Sequence, residues 1–324
     1  GGDVIKLVQL KERLDFKYAC EWLEGRSASP PSEWKVASQP VRSSPTWERL
    51  TLPLQTLLNR AALVYVHALW RHRDALAYVQ RRGIPEHVIR ECALGYCDGH
   101  SFAESLRSDE DRQLAEELGL IWPREKDKEH AQPRERLTGR IVVPELRWGL
   151  PVWLIGRSLR TARSSRTADL AYGSEPAGRR PPPKYLALPG QRPILGLERA
   201  VGASEVVLCE GVFDYLTALS WGLAACCVSG TSLPADRFGF LAKAELVHVV
   251  FDGDVAGNEA ASRFAVELGD RLRPLPLPDG CDLNDLGCRP GGHAFFFQLL
   301  EQNRRAHRER VWTAERNHDH AISH

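Results

Sequence analysis

Between residues 205 and 277 the chain alternates short apolar runs with segments of helical length. The runs are Glu205–Cys209 (EVVLC), Ala224–Val228 (AACCV) and Leu246–Phe251 (LVHVVF), with a fourth candidate at Arg273–Leu277. Helical segments fall at Val212–Trp221, about Ala235–Ala242 and about Asn258–Leu268. A continuous apolar strand has no face to give to water. It therefore belongs in a parallel sheet covered by helices on both sides, an α/β fold. Right-handed crossovers then set the connections.

The ends of these runs are acidic. Glu210-Gly211 follows the first run and Asp252-Gly253-Asp254 follows the third. In an open parallel sheet, ligands bind beyond the carboxyl ends of the strands, so both clusters are expected on one edge. Asp252 and Asp254 are two apart in extended chain and point to one side. Asp214 lies one helical turn beyond Glu210 and is expected to face the same crevice. Carboxylates that converge this way repel one another unless a cation sits between them. Hard oxygen donors suit Mg²⁺ or Mn²⁺, and two such ions can clamp a phosphoryl group. One D-x-D alone would be an ordinary strand-end turn. Two acidic clusters on successive ends of one sheet point to a metal site.

The rest of the chain is organised differently. Residues 3–24 read as two short helical pieces, and 26–53 have the Pro- and Ser-rich composition of a linker. A helix is expected from Leu54 to about Arg81, then a short one from Glu86 to Cys92 after the Gly83-Ile84-Pro85 break, and another over 101–119. Residues 123–136 read as a charged loop. Ile141–Pro144 and Val152–Ile155 read as paired strands around a turn at Trp148-Gly149. An Arg- and Ser-rich loop runs over 160–183, and after Gly291 one helix and a polar, His-containing tail are expected.

Composition narrows the class. The 324 residues carry 43 basic and 42 acidic side chains, a net charge of +1, with 43% hydrophobic residues, which excludes global disorder and a histone-like polycation. No stretch approaches the roughly 20 apolar residues of a membrane helix. The eight cysteines contain no C-x-x-C pair, so they are expected to be reduced thiols of a cytoplasmic protein rather than zinc ligands. The +1 total is a sum over unlike regions. Basic residues crowd the part before residue 200, where a groove tracking a phosphate backbone is expected, and acid crowds the crevice.

Together these segments resemble a known family. E-G-V-F-D (210–214) and D-G-D-V-A-G (252–257), separated by V-S-G-T-S (228–232), are similar to the Toprim domain of bacterial DnaG-type primases. L-P-D-G-C-D (277–282) resembles the family's third acidic segment. P-K-Y-L (183–186) and G-L-E-R-A (196–200) resemble the pair of segments before that domain. G-R-I-V-V-P (139–144) with I-G-R-S-L (155–159) resembles the basic strand pair of its N-terminal subdomain. Y-V-Q-R-R-G-I-P (78–85) with A-L-G-Y (93–96) resembles its opening helix segment.

The resemblance implies a Toprim-type parallel sheet with flanking helices, preceded by a mixed α+β basic subdomain. It divides the chain into the end of a zinc-ribbon domain (1–26), a linker (27–53), the basic subdomain (54–199), the Toprim domain (200–295) and a helical or polar tail (296–324). With a Gly-Gly start and no Met, the chain is expected to be part of a longer protein whose Zn²⁺ ligands lie upstream. The implied activity is templated synthesis of short RNA primers on single-stranded DNA from nucleoside triphosphates, with a replicative helicase as a possible partner and no membrane. Carried over by position, Glu210, Asp252 and Asp254 form the catalytic metal core, and Asp214 and Asp282 support it. Lys184, Tyr185, Arg140 and Arg157 match positions that bind nucleotide or template, with Tyr185 able to stack on a base. Arg192 is a weaker candidate.

The chain departs from the family pattern at Asn284, where a second Asp is usual, and at Ala187, where a polar amide is common. A neutral amide is a weaker ligand, which weakens the auxiliary metal position. Two other readings share the acidic crevice. One is a metal-dependent Toprim nuclease. The other is a non-catalytic subunit that binds single-stranded nucleic acid.

Overall fold

The computed structural model of the chain describes residues 50–123, 133–159, 183–229, 239–241, 243–251, 264 and 269–322. The expected zinc-ribbon remnant and nearly all of the linker lie outside the described residues.

Helix α1 (Leu52–Arg71) opens with Pro53 in its first turn and buries Leu54, Leu57, Leu58, Ala61, Tyr65 and Leu69 along one face. The expected single helix to Arg81 is two. His72 takes an extended backbone, and its Nδ1 accepts the Ala75 N–H at 3.2 Å, capping α2 (Arg73–Arg81). Gly83, at φ +73°, ends that run, and α3 (Glu86–Glu91) follows. The buried strand β1 (Gly95–Cys97) comes next. A Cβ on Gly95 would lie 2.6 Å from the Tyr65 Cβ, so α1 rests directly on this strand. The expected helix over 101–119 is also two, α4 (Ser101–Ser105) and α5 (Asp109–Leu118). The break comes where Leu106 is extended and Ser108 caps α5 by accepting the Asp111 N–H.

Strands β2 (Arg140–Arg147) and β3 (Leu150–Ser158) form the expected hairpin, longer than the sequence suggested. Its turn residues Trp148 and Gly149 both have positive φ, the conformation that matches strand twist in a two-residue loop. β4 (Tyr185–Ala187) adds to β3 and completes an antiparallel sheet of order β1-β2-β3-β4.

After the short helix α6 (Leu197–Ala200), the chain enters the parallel sheet: β5 (Glu205–Cys209), α7 (Val212–Ser220), β6 (Ala225–Cys227), β7 (Leu246–Val250) and β8 (Leu272–Pro274). Strand order is β6-β5-β7-β8 with every pairing parallel, as the apolar runs predict. Along β5, Val207 and Cys209 enter one buried cluster, while Val206 and Leu208 enter the other. Both faces are therefore covered. The two crossover helices expected around 235–242 and 258–268 lie almost wholly outside the described residues.

Two helices close the chain, α8 (Leu283–Gly287) and α9 (Gly292–Ile322). The helix expected after Gly291 is α9, and it runs for 31 residues, taking in most of the polar tail. It is anchored by buried Phe296 and Leu300 and by Arg304, whose Nε donates to Glu205 at 2.8 Å. No described helix is long and apolar enough to cross a membrane. The described cysteines are all free thiols.

Candidate active site

The order in which strands are added to the parallel sheet reverses between β5 and β7. The chain goes from β5 outward to β6 and then crosses back to β7 on the other side. A crevice forms beyond the carboxyl ends at such a switch point. Glu210 follows β5 directly. Asp252 and Asp254 follow β7 in sequence but lie outside the described residues.

The acidic wall is built from two short turns. Gly211 caps α7, and Asp214 sits in the first turn of that helix, where a carboxylate is favoured by the helix dipole. A Cβ at 211 would overlap Asp214 Oδ2, so glycine leaves room for the carboxylate that bends back over it. Asp214 is buried, and its Oδ1 accepts the Asn284 N–H at 2.9 Å. Asp282 caps α8 through the Asp285 N–H at 2.6 Å. Beneath Glu210, the Cys227 thiol donates to the Glu210 carbonyl at 3.1 Å. Burial pushes that thiol up to about 12, so it stays protonated and keeps donating.

The facing wall comes from the antiparallel sheet. Arg157 on β3 is buried, with its Nε donating to the Tyr78 hydroxyl and its Nη1 to the Tyr185 hydroxyl, both at 2.8 Å. Its guanidinium lies 4.6 Å from the centre of the Phe213 ring. These are neutral partners, and Arg157 forms no ion pair among the described residues. A buried cation without a carboxylate is costly unless an anion arrives. Burial also pushes the Tyr185 phenol upward, so it remains neutral. Lys184 is exposed beside it.

Arg140 has a different place. It is buried on β2 and passes over Gly156, where a Cβ would be 2.9 Å from its Cδ. Its Nη1 donates to the carbonyls of Pro183 at 2.9 Å and Lys184 at 3.3 Å. It holds the strand that carries Lys184 and Tyr185 and does not line the cleft.

A cleft of about 240 Å³ lies between the walls. Glu210, Asp214 and Asp282 line it together with Arg157, Lys184, Tyr185 and Arg192. The carboxylate oxygens are hard donors of the kind Mg²⁺ or Mn²⁺ takes, so the donor set fits. Among the described residues, no three acidic, His or Cys side chains are already grouped to hold an ion. Asn284 is not placed as a ligand: its side-chain nitrogen donates to the Arg82 carbonyl at 2.7 Å and to Thr217 Oγ1 at 2.9 Å, while its oxygen accepts from Arg82 Nη1 at 2.9 Å. Sequence reasoning missed Tyr78, whose role as acceptor for Arg157 depends on tertiary packing alone.

Residues 207–286 match the family described as Toprim-like. The chain is 25% identical over 299 residues to a DNA primase of Aquifex aeolicus, covering 87% of this chain and 53% of that protein. It is 28% identical over 254 residues to a DNA primase of Staphylococcus epidermidis, covering 72% of this chain and 38% of that one. It thus spans between about a third and about a half of the length of these relatives. Among solved structures, the Aquifex aeolicus primase with its zinc-binding and RNA polymerase domains superposes with a TM-score of 0.63 at 23% identity, covering 93% of this chain and 70% of that chain. A DnaG primase catalytic domain bound to single-stranded DNA superposes with a TM-score of 0.61 at 22% identity, covering 77% and 81%.

Proposed function

From the premise that this chain is a Toprim-containing relative of the DnaG-type primases, we propose that it makes short RNA primers on single-stranded DNA from nucleoside triphosphates. The observation that carries the proposal is the cleft itself. A buried guanidinium without an acid partner faces carboxylates at the carboxyl edge of a parallel sheet. That pairing suits a polyphosphate held between a fixed cation and acid-bound ions.

Glu210, Asp252 and Asp254 would hold Mg²⁺ or Mn²⁺, with Asp214 and Asp282 in support. Bound there, divalent ions supply activation of the attacking hydroxyl and neutralisation of the triphosphate. Arg157 donates to phosphate oxygens from a position set by two phenols. Lys184 adds a mobile charge at the mouth, and Arg140 keeps the Lys184-Tyr185 strand in register. Because its hydroxyl is engaged by Arg157, Tyr185 acts as a positioning group for that guanidinium and offers its ring to a base.

A relative bound to single-stranded DNA supports a DNA template for this chain. A relative solved with its zinc-binding domain is consistent with a role for Zn²⁺ outside the cleft. A cytoplasmic location and a replicative helicase as partner complete the reading.

The test is synthesis of labelled primers on single-stranded DNA with Mg²⁺ or Mn²⁺, with the upstream zinc domain restored. Product from the native chain and none from Glu210→Ala or Asp252→Ala is expected. Template degradation would establish the nuclease reading instead, and template binding without product would establish a non-catalytic subunit.

A further inference from the structure

The cleft has two walls from two sheets, and one helical turn touches both. Tyr78 and Arg82 are four residues apart, on the same face at the end of α2. The Tyr78 hydroxyl accepts Arg157 Nε at 2.8 Å, and the Tyr78 ring packs edge-on against Phe213 at 6.0 Å. The Arg82 guanidinium donates to Asn284 Oδ1 at 2.9 Å and to Asp285 Oδ1 at 3.0 Å, and the Arg82 carbonyl accepts from Asn284 Nδ2. Asn284 is 1% exposed, and its backbone N–H donates to Asp214.

We propose that this turn of α2 is a positioning element for the whole cleft: Tyr78 sets Arg157, and Arg82, acting through Asn284, sets Asp214. The proposal rests on the nucleotide-and-metal reading of the cleft given above. It reassigns position 284. The Asn284 amide bonds Arg82 and Thr217 and completes a clamp. An Asp there could not donate to the Arg82 carbonyl. Nor could it donate to Thr217 Oγ1, whose own hydrogen goes to the Phe213 carbonyl at 2.9 Å. Aspartate at 284 would therefore leave buried polar atoms unmatched rather than add a ligand. The two arms end on different walls, at Arg157 and at Asp214, and Tyr78→Phe or Asn284→Ala cuts one arm while keeping the 6.0 Å contact between the Arg82 guanidinium and the Tyr78 ring.

The test separates the arms with two probes on the full chain, Mn²⁺ alone by electron paramagnetic resonance and inorganic tripolyphosphate without metal. Arg82→Ala and Asn284→Ala are expected to weaken Mn²⁺ binding about tenfold, the usual cost of losing a group that orients a ligand. They should leave tripolyphosphate binding unchanged, and Arg82→Lys should recover part of the loss. Tyr78→Phe is expected to weaken tripolyphosphate binding about fivefold and leave Mn²⁺ binding unchanged. Equal losses of both ligands in every variant would overturn the proposal, because general loosening does that. Hydrogen exchange reads the clamp without any ligand. The Asn284 amide should lose protection in Arg82→Ala while the β5 amides keep theirs, and unchanged protection at 284 would overturn it. Should the native chain bind neither probe, the proposed function fails, and the exchange result alone decides the clamp.

Discussion

The two sheets supply functional groups in opposite ways. In the antiparallel sheet the cations sit on the strands themselves: Arg157 lies on β3 and Arg140 on neighbouring β2, both buried and hydrogen-bonded. In the parallel sheet the carboxylates follow strand ends and sit on short turns, beside glycine at Gly211 and at a helix cap in Asp282. The strand-borne wall is finished before a ligand comes, and its geometry resists change. The turn-borne wall concentrates like charge, which a bound cation would offset. In the proposed function this contrast divides the work: a preorganised cation would orient phosphate, and the acid wall would make activity depend on metal.

The largest expected effect on this division comes from Arg157. Arg157→Ala should lower primer-synthesis kcat/KM by about 10²-fold, the scale of a lost preorganised donor to developing charge. Arg157→Lys should recover little, because one ammonium cannot serve both phenols and a phosphate. Arg140→Ala should split from it. Its loss frees carbonyls of the Lys184 strand, so the main effect is a stability loss of about 2–3 kcal/mol, read by denaturant unfolding. A kcat/KM loss at 140 as large as that at 157, without unfolding, would mean the two arginines share one role.

On the acidic side, Gly211→Ala places a methyl group on Asp214 Oδ2. We expect a stability loss of about 1–3 kcal/mol and weaker Mn²⁺ binding, read by unfolding and by metal titration.

The smallest effect lies at the far end of the parallel sheet. His248, hydrogen-bonded at 2.6 Å, holds the Glu205 carboxyl down at about 2, with Arg304 of α9 assisting against the opposing cost of burial. A folded value below the ordinary 4.5 means that this stabilisation is complete above about pH 4.5 and is lost as pH falls toward 2. Native protein should lose stability across that window more steeply than Glu205→Gln, as measured by the denaturant midpoint at each pH.

The same contrast decides what the sequence makes legible. Strands buried on both faces announce themselves, and β5, β6 and β7 fall within a residue or two of the apolar runs. Three-residue β1 and β4 are too short for any periodicity, and β4 owes its place to pairing with β3 and to the Arg140 bonds. The break at His72 is a single cap inside an otherwise helical pattern. Side-chain identity alone does not say whether a basic residue faces a ligand. Arg140 and Arg157 look alike in sequence, yet one holds backbone and the other lines the cleft. Asn284 reads as a weakened ligand until its partners are seen.

The proposed function requires one cleft to bind metal on one wall and phosphate on the other. Crystals of the chain with Mn²⁺ and a non-hydrolysable nucleoside triphosphate, read by anomalous scattering, test this directly. Manganese is predicted on Glu210 together with Asp252 and Asp254, with phosphate oxygens within hydrogen-bond reach of Arg157. Manganese bound away from Glu210, or a triphosphate that leaves Arg157 untouched, would contradict it.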